Sequence, residues 1–350
     1  FILKYLVEDG HSIEPEYYIP IIPFVLCNGI SGIGTGFSSS IPPFNPKDIV
    51  QYLIRKLNGE GLGDTVEFMP YYKNFKGTVS SIPDEPKKFQ IKGCITAVNT
   101  TTYHITELPV GTWTMPYITF LEGLVDGGLD KNGKKIPPTL KDFVSHSTDK
   151  LVDIRVTFAK ATSLVDAEKI LKLSTTVSTT NMHLFDHQCK LHKYDTVQSI
   201  IDAFYDVRLN TYEKRKEYLL SHLETQLCKL SNKAKYITLV LDGTLELRRK
   251  SVEEIDQMLI QHGFDKLDDS YDYLVKMPMV SVATEYVEKL LKEKGEKEQE
   301  LNVLRETTVS QMWLKELEVF NSQLDSVNSV RQTVSETAPK VTKKIVRQKK

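Results

Sequence analysis

The sequence has 350 residues, enough for two or more compact units, and its 40% hydrophobic and 26% charged residues are ordinary for a soluble globular chain. Lys and Arg number 45 against 46 Asp and Glu, a formal net charge of -1, so any positive surface must be local. No apolar run approaches membrane-span length, and Cys27, Cys94, Cys189 and Cys228 are too far apart for a zinc or redox motif, reading as reduced thiols of an intracellular protein.

The chain opens on Phe1 with no initiator methionine, which leads us to expect a piece of a longer protein. Ile2, Leu3, Tyr5 and Leu6 suggest a short helical start. From Glu14 to Pro23, three prolines exclude a helix interior, and the apolar residues between them predict a buried, extended connector. Asn28-Gly29 and Gly32-Ile33-Gly34-Thr35-Gly36 follow and supply freedom for positive φ and close backbone approach. No Lys-Ser/Thr closes this run as in a phosphate loop, and prolines separate it from the next helix, so a tight structural turn is the better reading. Ile41 stands between a serine run and Pro42-Pro43, an isolated branched residue on a stiff mount.

Asn45-Pro46 reads as a helix entry, with Ile49, Val50, Leu53, Ile54 and Leu57 at helical spacing and Asn58-Gly59 as its end. Between Glu67 and Ile105 short alternating runs predict strands, notably Lys88 to Gly93 and Tyr103 to Glu107. A helix near Tyr117 to Val125, a Gly-Lys loop over Gly127 to Pro138, a strand at Leu151 to Phe158 and a helix at Leu164 to Leu173 complete an α+β domain over 46–190. An unbroken helical stripe then runs from Val197 to Leu241, with Asp195 or Thr196 as its cap. Helical periodicity resumes from Val282 to Leu324, where Val287, Leu290, Leu301 and Leu304 form the apolar seam and Lys292 to Glu300 a solvated face. The fold class expected is an α+β tower followed by a long antiparallel helical coiled-coil hairpin whose tip is a small globular gate. Its divisions are 1–45 (a connector region), 46–190 (tower), 191–241 (one coiled-coil arm), 242–281 (tip), 282–325 (returning arm) and 326–350 (a disordered basic tail).

Catalytic chemistry is hard to find. His183, His187 and His192 lie near Asp186 and Cys189 without a strong metal-ligand spacing, no nucleophile signature stands out, and Tyr17, Tyr18, Tyr71 and Tyr72 sit in apolar settings that favour packing. No catalytic and no metal-binding residue is therefore assigned.

The run EPEYYIPIIPFVLCNGISGIGTGFSSSIPPF resembles the segment after the active-site tyrosine of eukaryotic-type DNA topoisomerase II (type IIA). The likeness continues in order through PYYKNFKGT, ITELPVGTWT, KLSTTVSTTNMHLFD, LHKYDTVQSIIDAFYDVRL, YLVKMP and EKEQEL, to about Leu317. KLSTTVSTTN and LHKYDTVQSI favour the eukaryotic branch over a bacterial-type gyrase subunit. The resemblance implies the downstream part of a breakage-reunion core: the end of a winged helix, the tower, the coiled coil and a dimerising exit gate. The full-length enzyme would use ATP and Mg²⁺ to pass one DNA duplex through a transient double-strand break in another. This segment would bind neither, because the attacking tyrosine, the metal site and the ATPase domain of the family lie upstream. The implied partners are double-stranded DNA and a second copy of the chain, with no membrane. The implied location is intracellular: the nucleus for a cellular protein, host cytoplasm or nucleus for a viral one.

By the same resemblance Ile41 is the isoleucine that wedges between base pairs and bends the cut duplex. Lys172, Leu173, Ser174, Thr175, Thr176, Val177, Ser178, Thr179, Thr180 and Asn181 match a DNA-contacting segment suited to sequence-blind phosphate contacts. Lys73, Asn74 and Lys76 are further candidates, balanced against a solvated loop. Gly111 stands where the family pattern has arginine, and Ser40 where it has lysine. The short stretch between Phe264 and Tyr271 and the brief tail resemble the compact enzymes of large DNA viruses. A rival reading is a non-catalytic architectural DNA-binding protein dimerised by a coiled coil.

Overall fold

The structure, a computed structural model, describes residues 2–61, 67–129, 135–247, 250–267, 269–277 and 284–337. The chain divides into two units, one of residues 1–18 and 206–316, the other of 19–205 and 317–350, so that the divisions fall inside two helices.

The first unit begins with β1 (Tyr5–Glu8) and β2 (His11–Pro15), an antiparallel hairpin where a helical start was expected. Asp9 and Gly10 both have positive φ, 49° and 80°, and an Asp-Gly pair of this kind makes the two-residue turn that matches strand twist. Lys4 pairs with Glu16 across the open end. Tyr17 and Tyr18 are exposed, Tyr18 at 73%, so their apolar neighbours do not bury them as expected.

The second unit opens on Ile22 and Pro23, the buried end of the proline-rich connector, and on α1 (Phe24–Asn28). The hairpin β3 (Ile30–Ile33) and β4 (Ser38–Ile41) follows. Helix α2 (Pro46–Leu57) starts as its sequence predicts: the Asn45 side chain accepts from Lys47 N–H at 3.1 Å, and Pro46 occupies the first turn. Next come β5 (Thr78–Ile82), β6 (Glu85–Lys92), β7 (Cys94–Ala97), β8 (Thr102–Glu107), α3 (Thr114–Asp126), β9 (Gly128–Leu129) and β10 (Lys135–Ile136). They are followed by β11 (Leu140–Ser145), β12 (Ile154–Phe158), α4 (Leu164–Ile170), β13 (Ser174–Ser178), β14 (Met182–Phe185) and β15 (Leu191–Tyr194).

Two antiparallel sheets dominate, a four-stranded one in the order β11-β12-β8-β7 and a three-stranded one in the order β13-β6-β5. Strand β11 had not been anticipated. Its burial is irregular, with only Leu140 and Ser145 buried, so it lacks the alternation that marks a half-buried strand. The core beneath the larger sheet joins Tyr103, Ile105, Leu121, Ile154, Val156 and Leu171, with the Tyr117 hydroxyl donating to Leu171 C=O at 2.8 Å. Helix α4 stops at Ile170, short of the expected Leu173, because Lys172 turns left-handed (φ 51°) and sends Leu173 into this core.

Helix α5 (Val197–Leu241) is the long helix that the sequence predicts, about 68 Å at 1.5 Å per residue. Thr196 is its cap, accepting from Ser199 N–H at 3.1 Å, while Asp195 pairs with Lys87 instead. In the second unit Tyr52 and Lys56 of α2 both reach Asp202, at 3.0 and 2.6 Å, and fix the helix entry.

After α5 come α6 (Val252–Gln261), α7 (Asp272–Val275) and α8 (Thr284–Glu306) in the first unit, and α9 (Val309–Thr337), of which only the start, to Glu316, belongs to that unit. Ser251 and Glu254 form a reciprocal capping box at α6. Tyr236, Ile237, Leu245, Leu259, Phe264, Tyr271 and Leu274 make a small core there. The helical stretch expected over 282–325 contains a break: α8 ends at Glu306, and Thr308 and Gln311 cap α9 through reciprocal bonds of 2.8 and 3.2 Å. The helices pack together through Lys216, whose ammonium donates to Arg305 and Thr307 carbonyls at 3.2 and 2.8 Å. The Arg305–Glu224 pair at 2.7 Å adds to this. Trp313 stacks on Tyr212, whose hydroxyl donates to Glu316. Helix α9 runs to Thr337, so the expected start of a tail at 326 falls within a helix; residues 338–350 lie outside those described. No described helix is long and apolar enough to cross a membrane.

Candidate nucleic-acid interface

The candidate residues gather on the second unit, and the glycine-rich run is the hairpin β3–β4. Gly34 N–H donates to Phe37 C=O at 2.8 Å, and Gly36 takes a φ of 83°. A Cβ on Gly34 would fall 2.6 Å from the Phe37 ring, so a larger residue there would have to displace that aromatic. At the base, Gly29 has a φ of 68° and a Cβ there would meet the Ile41 carbonyl at 2.9 Å.

Alternation along β4 decides which isoleucine is available. Ser39 and Ile41 face inward while Ser38 is exposed, and Ile41 is only 2% exposed. Ile41 was expected to be a wedge, but a wedge must project from the surface, and this side chain is withdrawn into the protein. Its partner across the ribbon is Ile30, and at the far end of β3 stands Ile33, 93% exposed and paired in register with Ser38. The reading of the sequence passed over Ile33. The available signal was an isoleucine flanked by glycines on both sides, Gly32 and Gly34, a setting with nothing to bury it.

Residues 172–181 divide by face. Ser174, Thr176 and Thr180 are exposed, Thr175, Val177, Ser178 and Asn181 half-buried, and Leu173 and Thr179 buried. Leu173 belongs to the core and cannot touch a ligand on the surface. Thr179 is held by the Lys87 carbonyl, which accepts from its N–H at 2.9 Å. The register of β13 on β6 and β6 on β5 puts Thr78, Lys92 and Ser174 in one row and Ser80, Gln90 and Thr176 in the next. Opposite residues share a face. One side of this sheet is therefore a surface of hydroxyls, an amide and lysines, joined by Lys88, while Phe89 and Ile91 fill the other side. Two of its lysines are partly neutralised, Lys88 by Glu85 at 2.6 Å and Lys92 by Glu168 at 3.6 Å. The alternation of Lys88, Gln90 and Lys92 with Phe89 and Ile91 marked the strand in the sequence but did not mark its polar face as part of the site. Lys73, Asn74 and Lys76 are exposed in the loop leading into β5, and Asn74 has a φ of 64°.

The two motifs meet at Asn181. Its carbonyl accepts from Ser40 N–H at 2.8 Å and its side-chain amide donates to Ser38 Oγ at 2.9 Å. His183 N–H donates to Ser39 Oγ at 3.2 Å, and His183 Nδ1 lies 2.9 Å from Asn181 Oδ1. Phe37 packs edge-on against Phe185 with centroids 5.7 Å apart. Asn181 is thus a bracket holding the hairpin rather than a free surface amide. His192 engages Asp186 at 2.9 Å, and two backbone N–H groups, from Lys190 and Gln188, donate to the same carboxylate and hold it below the usual aspartate range. Among the described residues no group of three or more His, Cys, Asp or Glu side chains could hold a metal ion.

This arrangement can support and grip a polyanion without reading its sequence: hydroxyls and lysines on a sheet, beside a braced hairpin whose Ile33 stands almost wholly in water. The family model for the A subunit of DNA gyrase/topoisomerase IV matches residues 1–318. Among curated relatives, DNA topoisomerase 2 of Pisum sativum is 37% identical over 92% of this chain and 24% of its own length. DNA topoisomerase 2 of Plasmodium falciparum is 36% identical over 94% and 25%, and human DNA topoisomerase 2-alpha 35% over 93% and 23%. The chain spans about a quarter of the length of these relatives. Among solved structures, the Plasmodium falciparum topoisomerase II DNA-binding, cleavage and re-ligation domain superposes with a TM-score of 0.81 at 36% identity, covering 95% of this chain and 48% of that one. The chain belongs to the DNA gyrase/topoisomerase IV A-subunit family, within the breakage-reunion region of its eukaryotic-type DNA topoisomerase II branch.

Proposed function

We propose that this chain is the DNA-supporting and DNA-bending part of an ATP-dependent type II topoisomerase, which cuts both strands of one duplex and passes another through the gap. The observation that carries this reading is the exposed Ile33, mounted on a hairpin that Asn181 ties to the hydroxyl-rich strand β13. Ile33 replaces Ile41 as the wedge: it would part a base step while the sheet takes the neighbouring phosphates. Ser174, Thr176 and Thr180, with Lys88 and Lys92 beside them, are the favoured contacts, and Lys73, Asn74, Lys76 and Lys172 lie at the margin. ATP and Mg²⁺ belong to the whole enzyme in this reading, and this segment contributes no reacting group.

The remaining divisions keep the family's plan. Residues 46–190 act as the tower, the long helices as coiled-coil arms and 242–281 as an exit gate that closes on a second copy. Val252, Ile260 and Val275 are exposed apolar residues near that tip and suit a two-fold contact. Leu259, between them in sequence, is fully buried in the tip's own core.

The test is a doubly labelled duplex titrated with the protein. Binding that weakens steeply with salt, accompanied by a rise in end-to-end energy transfer, is expected. Binding with no change in end-to-end distance would favour a plain scaffold, and no binding at low salt would refute the reading.

A further inference from the structure

A groove of about 690 Å³ opens between the turn before α3 and the turn that joins α4 to β13. Gly111, Trp113 and Phe120 line one side, and Lys169, Lys172 and Ser174 the other. We infer that this groove is a second DNA contact, taking the sugar–phosphate backbone of the duplex where it runs on past the β5–β6–β13 sheet. The inference rests on the DNA-binding reading above, which already takes Ser174 and Lys172 as contacts, and extends it to Gly111, Trp113, Phe120 and Lys169, which that reading does not use.

Continuity supports the occupant. The groove ends on Ser174, which shares a row with Thr78 and Lys92 on the polar face of the sheet, so a strand leaving that face enters the groove without crossing apolar ground. Charge supports it too. Glu168 also lines the groove, but its carboxylate pairs with Lys92 at 3.6 Å. Lys169 and Lys172 are exposed and neither belongs to an ion pair among the described residues, which leaves a net positive floor. Lys172 is held rather than sweeping freely: its backbone is left-handed, and its ammonium sits 4.8 Å from the centroid of the Phe120 ring.

Trp113 supplies the flat apolar part. It is 77% exposed at the rim, an unusual position for a residue that is highly buried on average. A deoxyribose or a base edge can cover an indole face while its phosphates reach the two lysines. At Gly111 the wall is open, since a Cβ built there meets no atom within 4 Å. An acidic peptide would satisfy the lysines, but nothing in it would require the continuous path along the sheet.

The chain has two tryptophans, Trp113 and Trp313, and Trp313 is 0% exposed. Quenching of intrinsic fluorescence by neutral acrylamide in the unaltered protein therefore reports on Trp113. Duplex binding, followed independently by anisotropy of a labelled end, should lower that quenching at least twofold. Lys169→Gln with Lys172→Gln should weaken duplex binding roughly fivefold near 0.1 M salt and reduce the salt slope by about one to two. Duplex that binds while Trp113 stays as accessible as before would overturn the groove and leave the main DNA reading standing. Equal affinity for the double variant would overturn it as well. Shielding of Trp113 by polyglutamate but not by duplex would assign the groove to an acidic protein segment instead. Failure of the protein to bind any duplex would overturn both readings together.

Discussion

Truncating Ile33 and Ile41 separately to alanine should give opposite results, because two residues of one hairpin differ almost completely in exposure, 93% against 2%. Ile41→Ala removes about three buried carbon atoms. At roughly 0.8 kcal/mol each, plus the cavity left behind, the loss of stability should be about 2–4 kcal/mol. Ile33→Ala removes the same atoms from water and should change stability by less than about 0.5 kcal/mol. On DNA the order reverses. Bending a site costs on the order of 1–6 kcal/mol, and a wedge offsets part of that by holding a base step open. Losing Ile33 should therefore lower the bent fraction while leaving most of the affinity, which comes from phosphate contacts. Urea unfolding of each variant, beside energy transfer on a labelled duplex, separates the two effects. If Ile41→Ala abolished bending at unchanged stability while Ile33→Ala bent DNA normally, the assignment to Ile33 would be wrong.

Asn181→Ala should loosen the hairpin through loss of the Ser38 and His183 contacts, costing about 1–2 kcal/mol, visible as faster amide exchange across β3 and β4 but not in α2. Cys27, whose thiol burial pushes up to about 11, should resist a thiol reagent at pH 8 that labels exposed Cys189 within minutes; equal rates would contradict the packing of α1. Asp186 has a depressed folded-state pKa, so its contribution is present at neutral pH and is lost as pH falls through that lowered value; proton titration by NMR should find it below the ordinary 3.8, and Asp186→Asn should remove that acid-dependent loss from the β14–β15 hairpin. Trp313→Ala should cost about 3–5 kcal/mol by urea unfolding, since it empties a fully buried site stacked on Tyr212.

Local signals alone determined a good deal of this protein. Asn45-Pro46 fixed the start of α2 and Asn58-Gly59 its end, because caps and proline act within a few residues and need no distant partner. The proline-free apolar stripe after Thr196 determined α5 for the same reason, since helical periodicity is a property of the segment itself. The seven ordered motifs carried the family, as the match over residues 1–318 bears out. Where local signals compete, the nearer turn wins: the apolar start favours a helix, but Asp9-Gly10 closes it into a hairpin. Only the tertiary structure decided which isoleucine reaches solvent. Ile33 and Ile41 are chemically identical and both flanked by turn formers, and the difference lies in which face of a two-stranded ribbon the rest of the unit covers. The same holds for residues 172–181, where a run of hydroxyls reads as uniformly polar until pairing with β6 sends Val177 to one side and Thr176 to the other. The meeting of Asn181 with Ser38 spans 143 residues, and no local propensity encodes a hydrogen bond between segments so far apart.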